Sequence, residues 1–116
     1  MKTAFLVFSY LHKEKPNMPI MLHTLLFAKE MKDKGDEVKI IFEGEGVQWA
    51  KDLLNEDHPL HNHVKPLLEN IVVCEACASM FNVLEDIKDK VTIENILYGH
   101  ISLRKYLEED YQIIEL

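Results

Sequence analysis

Positive charge is scarce in this chain. Thirteen basic residues stand against twenty acidic ones, leaving a net charge of −7, the wrong sign for holding a phosphate backbone. Nucleic acid is therefore not an expected partner. Long apolar runs are also missing. The most apolar stretch, Met18 to Ala28, is too short to cross a bilayer and carries His23 and Thr24. The opening run, Met1 to Phe8, has no small-residue cleavage site after it and leads into His12-Lys13-Glu14-Lys15, so it reads as a buried strand and not as a secretion signal. Glycine and proline number four each, enough to punctuate elements and too few for a low-complexity segment. Cysteine is scarcer still, with two residues. That excludes a disulfide framework and leaves a catalytic, redox or metal-binding pair as the expectation. No membrane association and a cytoplasmic location are the corresponding expectations.

What is present describes a single domain over residues 1–116, with 47 % hydrophobic and 9 % aromatic residues. A chain of this length buries roughly two-thirds of its unfolded surface and needs no staple to fold. Thr3 to Ser9 is a continuous apolar run, as expected of a strand buried on both faces. Tyr10 to Asn17 reads as a polar loop. Pro19 then opens a helix through Leu22, Leu25, Leu26 and Met31, closed by Lys32-Asp33-Lys34-Gly35. Glu37 to Phe42 is the second strand, and Gly44-Glu45-Gly46 turns into a helix carrying Val47, Ala50, Leu53 and Leu54. A short helix from Pro59, bent near Pro66, precedes the third strand, Asn70 to Cys74. A helix from Cys77 to about Asp86, a brief fourth strand at Ile96-Leu97-Tyr98, a helix from Ser102 to Glu109 and a fifth strand from Gln112 to Leu116 complete the reading. Strand and helix alternate throughout, which predicts a three-layer α/β sandwich with a five-stranded, mainly parallel sheet.

The chemistry concentrates at Cys74-Glu75-Ala76-Cys77, where a buried strand gives way to a helix. In open α/β sheets, the carboxyl ends of strands are where sites are built. A helix N-terminus favours thiolate over thiol, by about 0.3–1 kcal/mol at an exposed position. Glu75, adjacent to the sulfur, opposes that effect. Cys74, nearer the first unpaired N–H groups, is expected to be the better nucleophile, with Cys77 as a resolving thiol. The competing readings are two small buried hydrophobes, or half of a zinc site that only histidines can complete.

Parallel strands one, three and four would deliver His12, Cys74 and His100 to the same sheet edge. Gly99-His100 sits at a helix entry, where a neutral imidazole can take the Cys74 proton or hold a substrate. His58, His61 and His63 crowd one segment. Flanked by prolines and polar residues, they read as a mobile surface element and not as a structural metal site. Glu43-Gly44-Glu45-Gly46 lacks the third glycine or lysine of a phosphate loop and reads as a solvated turn. Nothing in the chain calls for a cofactor. The apolar band Ile20, Met21, Leu22, Leu25, Leu26, Phe27 and Met31 is too wide for one sheet face and predicts a homo-oligomer.

The start Lys2-Thr3-Ala4-Phe5-Leu6-Val7, the turn Phe42-Glu43-Gly44-Glu45-Gly46-Val47, the block Val73-Cys74-Glu75-Ala76-Cys77-Ala78 and the closing segment from Gly99-His100 through Ile114 together resemble the DsrE/DsrF-like family of small sulfur-relay proteins. The resemblance covers the whole chain and implies a YchN-like fold, assembly as a trimer or hexamer, and a sulfur donor or acceptor protein as partner. It also implies a persulfide carried on the cysteine that ends the third strand, here Cys74. The chain departs from the best-known sulfur carriers after that cysteine, where Met80-Phe81-Asn82 replaces an arginine-glycine pair. Many relatives have no established activity, so the fold alone does not settle function.

Overall fold

A computed structural model describes residues 1–116. Its strands are β1 (Lys2–Val7), β2 (Leu11–His12), β3 (Lys15–Pro16), β4 (Glu37–Phe42), β5 (Ile71–Cys74), β6 (Thr92–Glu94) and β7 (Gln112–Glu115). Its helices are α1 (Met18–Asp33), α2 (Gln48–Leu54), α3 (His61–Val64), α4 (Glu75–Met80), α5 (Leu84–Ile87) and α6 (Leu103–Glu108), with 3-10 turns at Gly44–Val47 and Lys65–Asn70. Five strands form one sheet in the order β6-β5-β4-β1-β7, every neighbouring pair parallel. The predicted α/β sandwich is the observed architecture.

Residues 3–7 of β1 and all of β5 are buried, as expected of strands covered on both faces. Chain order runs outward from β1 through β4 and β5 to β6, then returns to β7 on the far side. Right-handed crossovers therefore place α1 to α5 on one face and α6 on the other. The α6 side chains Lys105 and Tyr106 accordingly face Lys39, Val72 and Thr92 across the opposite side of the sheet. Connections leaving adjacent strands β5 and β6 go to opposite faces, which makes their carboxyl ends the topological switch point of the sheet.

Local sequence explains the element ends. The Asn17 side chain accepts the Ile20 N–H at 3.3 Å and caps α1, with Pro19 in its first turn. Gly35, at φ +88°, ends the helix while the Asp36 N–H returns to the Met31 carbonyl at 3.0 Å. Gly46 lies where a Cβ would meet the Val7 carbonyl oxygen at 2.2 Å. Only glycine lets the turn after β4 pass so close to the end of β1.

Three expectations are corrected. The fourth strand of the sheet is Thr92–Glu94, whereas Ile96-Leu97-Tyr98 forms an exposed turn in which only Leu97 bridges His100. Three residues suffice because β6 is an edge strand paired on one side alone. The helix predicted to run from Cys77 to Asp86 begins at Glu75 and breaks at Asn82, whose φ of 58° cannot continue a helix. The third is the His58–His63 segment, which is not a loose surface element. Leu60 and Val64 are buried beneath it, the His61 ring nitrogen lies 2.8 Å from the Leu53 carbonyl, and His58 accepts the Leu60 N–H at 3.0 Å.

Candidate functional site

β5 ends on Cys74, which caps the N-terminus of α4. Its sulfur accepts the Cys77 N–H at 3.4 Å, so the Cys-x-x-Cys spacing closes the first turn through its own side chain. From the neighbouring strand end comes Glu43, because the β4–β5 register sets Phe42 beside Val73 and so Glu43 beside Cys74. Gly99, at φ +89°, turns the chain so that its carbonyl accepts the Ala76 N–H at 2.9 Å and presents His100 to the sulfurs.

Four groups converge there. His100 Nδ1 lies 3.2 Å from Cys74 Sγ and 3.6 Å from Cys77 Sγ. The Cys77 thiol donates to Glu43 Oε1 at 2.9 Å, and the same oxygen is 3.8 Å from His100 Nδ1. The ligating atoms of all four residues lie within 4.8 Å of one another. Glu43 is fixed by the Gly44 N–H on Oε1 at 3.1 Å and the Ile101 N–H on Oε2 at 3.4 Å. Cys74 is fully buried and Cys77 nearly so, both as free thiols, whereas the His100 side chain is 43 % exposed. The imidazole is therefore the most exposed of the four groups.

Burial pushes the Cys74 thiol up to about 12, and the Glu43 carboxylate adds to the effect, outweighing the Cys77 N–H that favours thiolate. Cys77 is raised for the same leading reasons, burial and then Glu43. Burial also acts to raise Glu43, yet hydrogen bonds from the two thiols and the Gly44 and Ile101 amides hold it below the usual carboxylate range. At neutral pH the resting cluster thus has two protonated thiols beside one carboxylate anion. The predicted advantage of the helix N-terminus is overridden by desolvation, since α4 is only six residues long and its field acts at a buried sulfur.

Of the residues singled out from the sequence, Cys74, Cys77 and His100 meet. His12 does not join them and sits in the exposed β2–β3 hairpin. His58, His61 and His63 form no ligand cluster with one another. The acid beside the sulfurs is Glu43, not Glu75, which turns away to accept from Asn95 at 3.4 Å. Glu43 was expected to be a solvated turn residue, yet its side chain is only 12 % exposed. A signal existed in its position immediately after the strand preceding the cysteine strand, where sheet order brings the two ends together. The largest groove, about 460 Å³, lies elsewhere, between α1 and β7, and is lined in part by Phe27, Met31 and Ile114.

The whole chain, residues 1–116, matches the DsrE/DsrF-like family. An uncharacterized protein of Methanocaldococcus jannaschii is 66 % identical over 116 residues, covering 100 % of this chain and 96 % of the relative. Among solved structures, a conserved protein of unknown function from Bacteroides thetaiotaomicron superposes with a TM-score of 0.63 at 15 % identity, over 97 % of this chain and 94 % of that one. That likeness concerns the fold alone. The chain belongs to the DsrE/DsrF-like family.

Proposed function

We propose that this DsrE/DsrF-like protein handles sulfane sulfur, holding it as a persulfide on Cys74, with His100 as proton acceptor and Cys77 as resolving thiol. The observation that carries this reading is the 3.2 Å contact between Cys74 Sγ and His100 Nδ1 at the carboxyl edge of the sheet. It supplies what the resting site lacks, a base for a thiol that burial keeps protonated.

The Cys74 proton passes to His100 Nδ1, giving an imidazolium whose charge is favoured by Glu43 Oε1 at 3.8 Å. The thiolate attacks the outer sulfur of a donor persulfide. A new S–S bond forms to Cys74 while the donor's S–S bond breaks, and the donor departs as a thiolate that is reprotonated. An acceptor thiolate then takes the outer sulfur from Cys74 by the same exchange in reverse. Where no acceptor arrives, Cys77 attacks the inner sulfur, forming a Cys74–Cys77 disulfide and expelling hydrogen sulfide. A reducing compartment such as the cytoplasm suits a pair that must return to the dithiol state. Donor and acceptor are partner thiols that reach the site past His100, and a ring-like homo-oligomer is the assembly in which it works.

The test is the rate at which a small sulfane-sulfur donor, inorganic polysulfide, adds the mass of a sulfur atom to the reduced protein. His100→Ala is expected to slow loading by about 10²-fold or more at neutral pH, with partial recovery at alkaline pH, where the base is no longer needed. Loading at the wild-type rate in that variant removes His100 from the reading. Loading that never occurs in the wild type removes the function.

A further inference from the structure

Glu43, Cys74, Cys77 and His100 also bring four potential ligand atoms within 4.8 Å of one another, close to the spacing a bound metal ion imposes. Zinc bonds of about 2.0–2.3 Å to nitrogen, oxygen and sulfur in a tetrahedron set ligand atoms roughly 3.3–3.8 Å apart. The observed separations are 3.2 Å for Cys74 Sγ to His100 Nδ1, 3.6 Å for Cys77 Sγ to the same nitrogen, 2.9 Å for Cys77 Sγ to Glu43 Oε1, and 3.8 Å for Glu43 Oε1 to His100 Nδ1. The tightest edge, 2.9 Å between Cys77 Sγ and Glu43 Oε1, lies below that range and opens by about 0.4 Å or more when a cation enters. We propose that these four side chains form a tetrahedral site for a thiophilic divalent cation of the zinc type, with Cys74 Sγ, Cys77 Sγ, His100 Nδ1 and Glu43 Oε1 as its ligands.

Charge argues for it as strongly as distance. Glu43 is nearly buried, and its hydrogen-bond partners are amides and the two thiols; the only basic group paired with it is the imidazole of His100. A divalent cation entering the site displaces a proton from each thiol. Two thiolates, one carboxylate and the cation then sum to the single negative charge that was already there. The exchange leaves the buried net charge unchanged, with direct bonds to the cation replacing the thiol protons. Supporting contacts are also in place. The Cys77 N–H points at Cys74 Sγ, and the Ile101 N–H holds the second Glu43 oxygen. The half-exposed ring of His100 can carry its remaining N–H on the solvent side. Two sulfurs and one nitrogen select against magnesium and calcium, which prefer oxygen ligands.

The site is closed by four protein ligands, so the cation has no open position, and its role is to mask Cys74 and lock the β4, β5 and β6–α6 segments together. This goes beyond the persulfide reading and does not rest on it. Metal and persulfide compete for Cys74, and each has its own readout. The experiment is titration of reduced, tag-free, chelator-washed protein with cobalt(II), followed by displacement with zinc. The expected result is saturation at about one equivalent per chain, with a thiolate-to-cobalt charge-transfer band, the strong visible bands of tetrahedral cobalt, and acid release from both thiols. Zinc then abolishes the spectrum. Cys77→Ser weakens the charge-transfer band, and His100→Ala, at a half-exposed position tolerant of substitution, lowers cobalt affinity by about tenfold or more. Only weak octahedral bands, or equal binding by a folded Cys74→Ser/Cys77→Ser double variant, would overturn the proposal, whatever the outcome of persulfide loading.

Discussion

A carboxylate and two thiols sharing one buried corner hold each other's protonation in check. Glu43 is kept ionised by the hydrogen bonds it accepts, and burial together with that charge keeps Cys74 and Cys77 protonated. Alkylation of Cys74 by a small reagent should therefore keep rising with pH well past about 8.5, where an ordinary thiol levels off, toward about 12. Glu43→Gln, which removes the charge, should move the profile to lower pH. A profile that levels off at the ordinary thiol value in both proteins would contradict this. The linked effect on stability has a definite sign. A thiol whose folded value is raised holds its proton in the native state, so its contribution is present below the unfolded value and lost as the pH climbs toward about 12. Denaturant midpoints should thus fall across that alkaline window in the wild type, and less in Cys74→Ala. At this scale the sequence reveals both cysteines and His100, because a strand-end thiol and a Gly-His at a helix entry are local patterns. Glu43 is hidden in it, because its role depends on which strand lies beside β5.

Elements are held by contacts of uneven legibility. Gly46 touches the end of β1, and Gly46→Ala forces a Cβ toward a carbonyl oxygen that would lie at 2.2 Å. A loss of about 1–3 kcal/mol is expected, read as a lower Tm; an unchanged Tm would show that the turn relaxes freely. Leu67→Ala beneath the 3-10 turn that follows α3 should cost about 2–5 kcal/mol, because Leu67 is fully buried. Replacing exposed His63 by alanine should change stability by less than about 0.5 kcal/mol. Thermal melts of the two variants compare a buried side chain with an exposed one directly. β1, β4 and β5 could be read from the sequence because they are continuous or near-continuous apolar runs, and α1 because it is long and capped by Asn17. β6 could not, since Thr92-Ile93-Glu94 follows a charged Lys88-Asp89-Lys90 turn and is shorter than any periodicity can register. The more apolar Ile96-Leu97-Tyr98 imitates a strand but projects into solvent, Tyr98 being 95 % exposed at φ 51°.

At the scale of the whole molecule, apolar surface is left over. Leu26, Phe27 and Ile114 remain 42 %, 49 % and 41 % exposed along α1 and the edge strand β7, the face where a wide apolar band was expected from the sequence. No helix is long and apolar enough to cross a membrane. We propose that a second copy of the chain covers this face. Light scattering should report a multiple of 13.6 kDa, and Phe27→Asp should shift the protein toward the single-chain mass. A wild type that stays at 13.6 kDa across micromolar concentrations would contradict assembly.

Peptide-level mass spectrometry decides whether Cys74 is the residue that bears the sulfur. Reduced, metal-free protein is loaded with inorganic polysulfide, blocked with an alkylating reagent and digested, and the alkylated persulfide is located by fragmentation. The extra sulfur is expected on Cys74 in the wild type and in Cys77→Ser, longer-lived in the latter because the resolving thiol is gone, with no persulfide in Cys74→Ser. Extra sulfur on Cys77, or on neither cysteine, would contradict it.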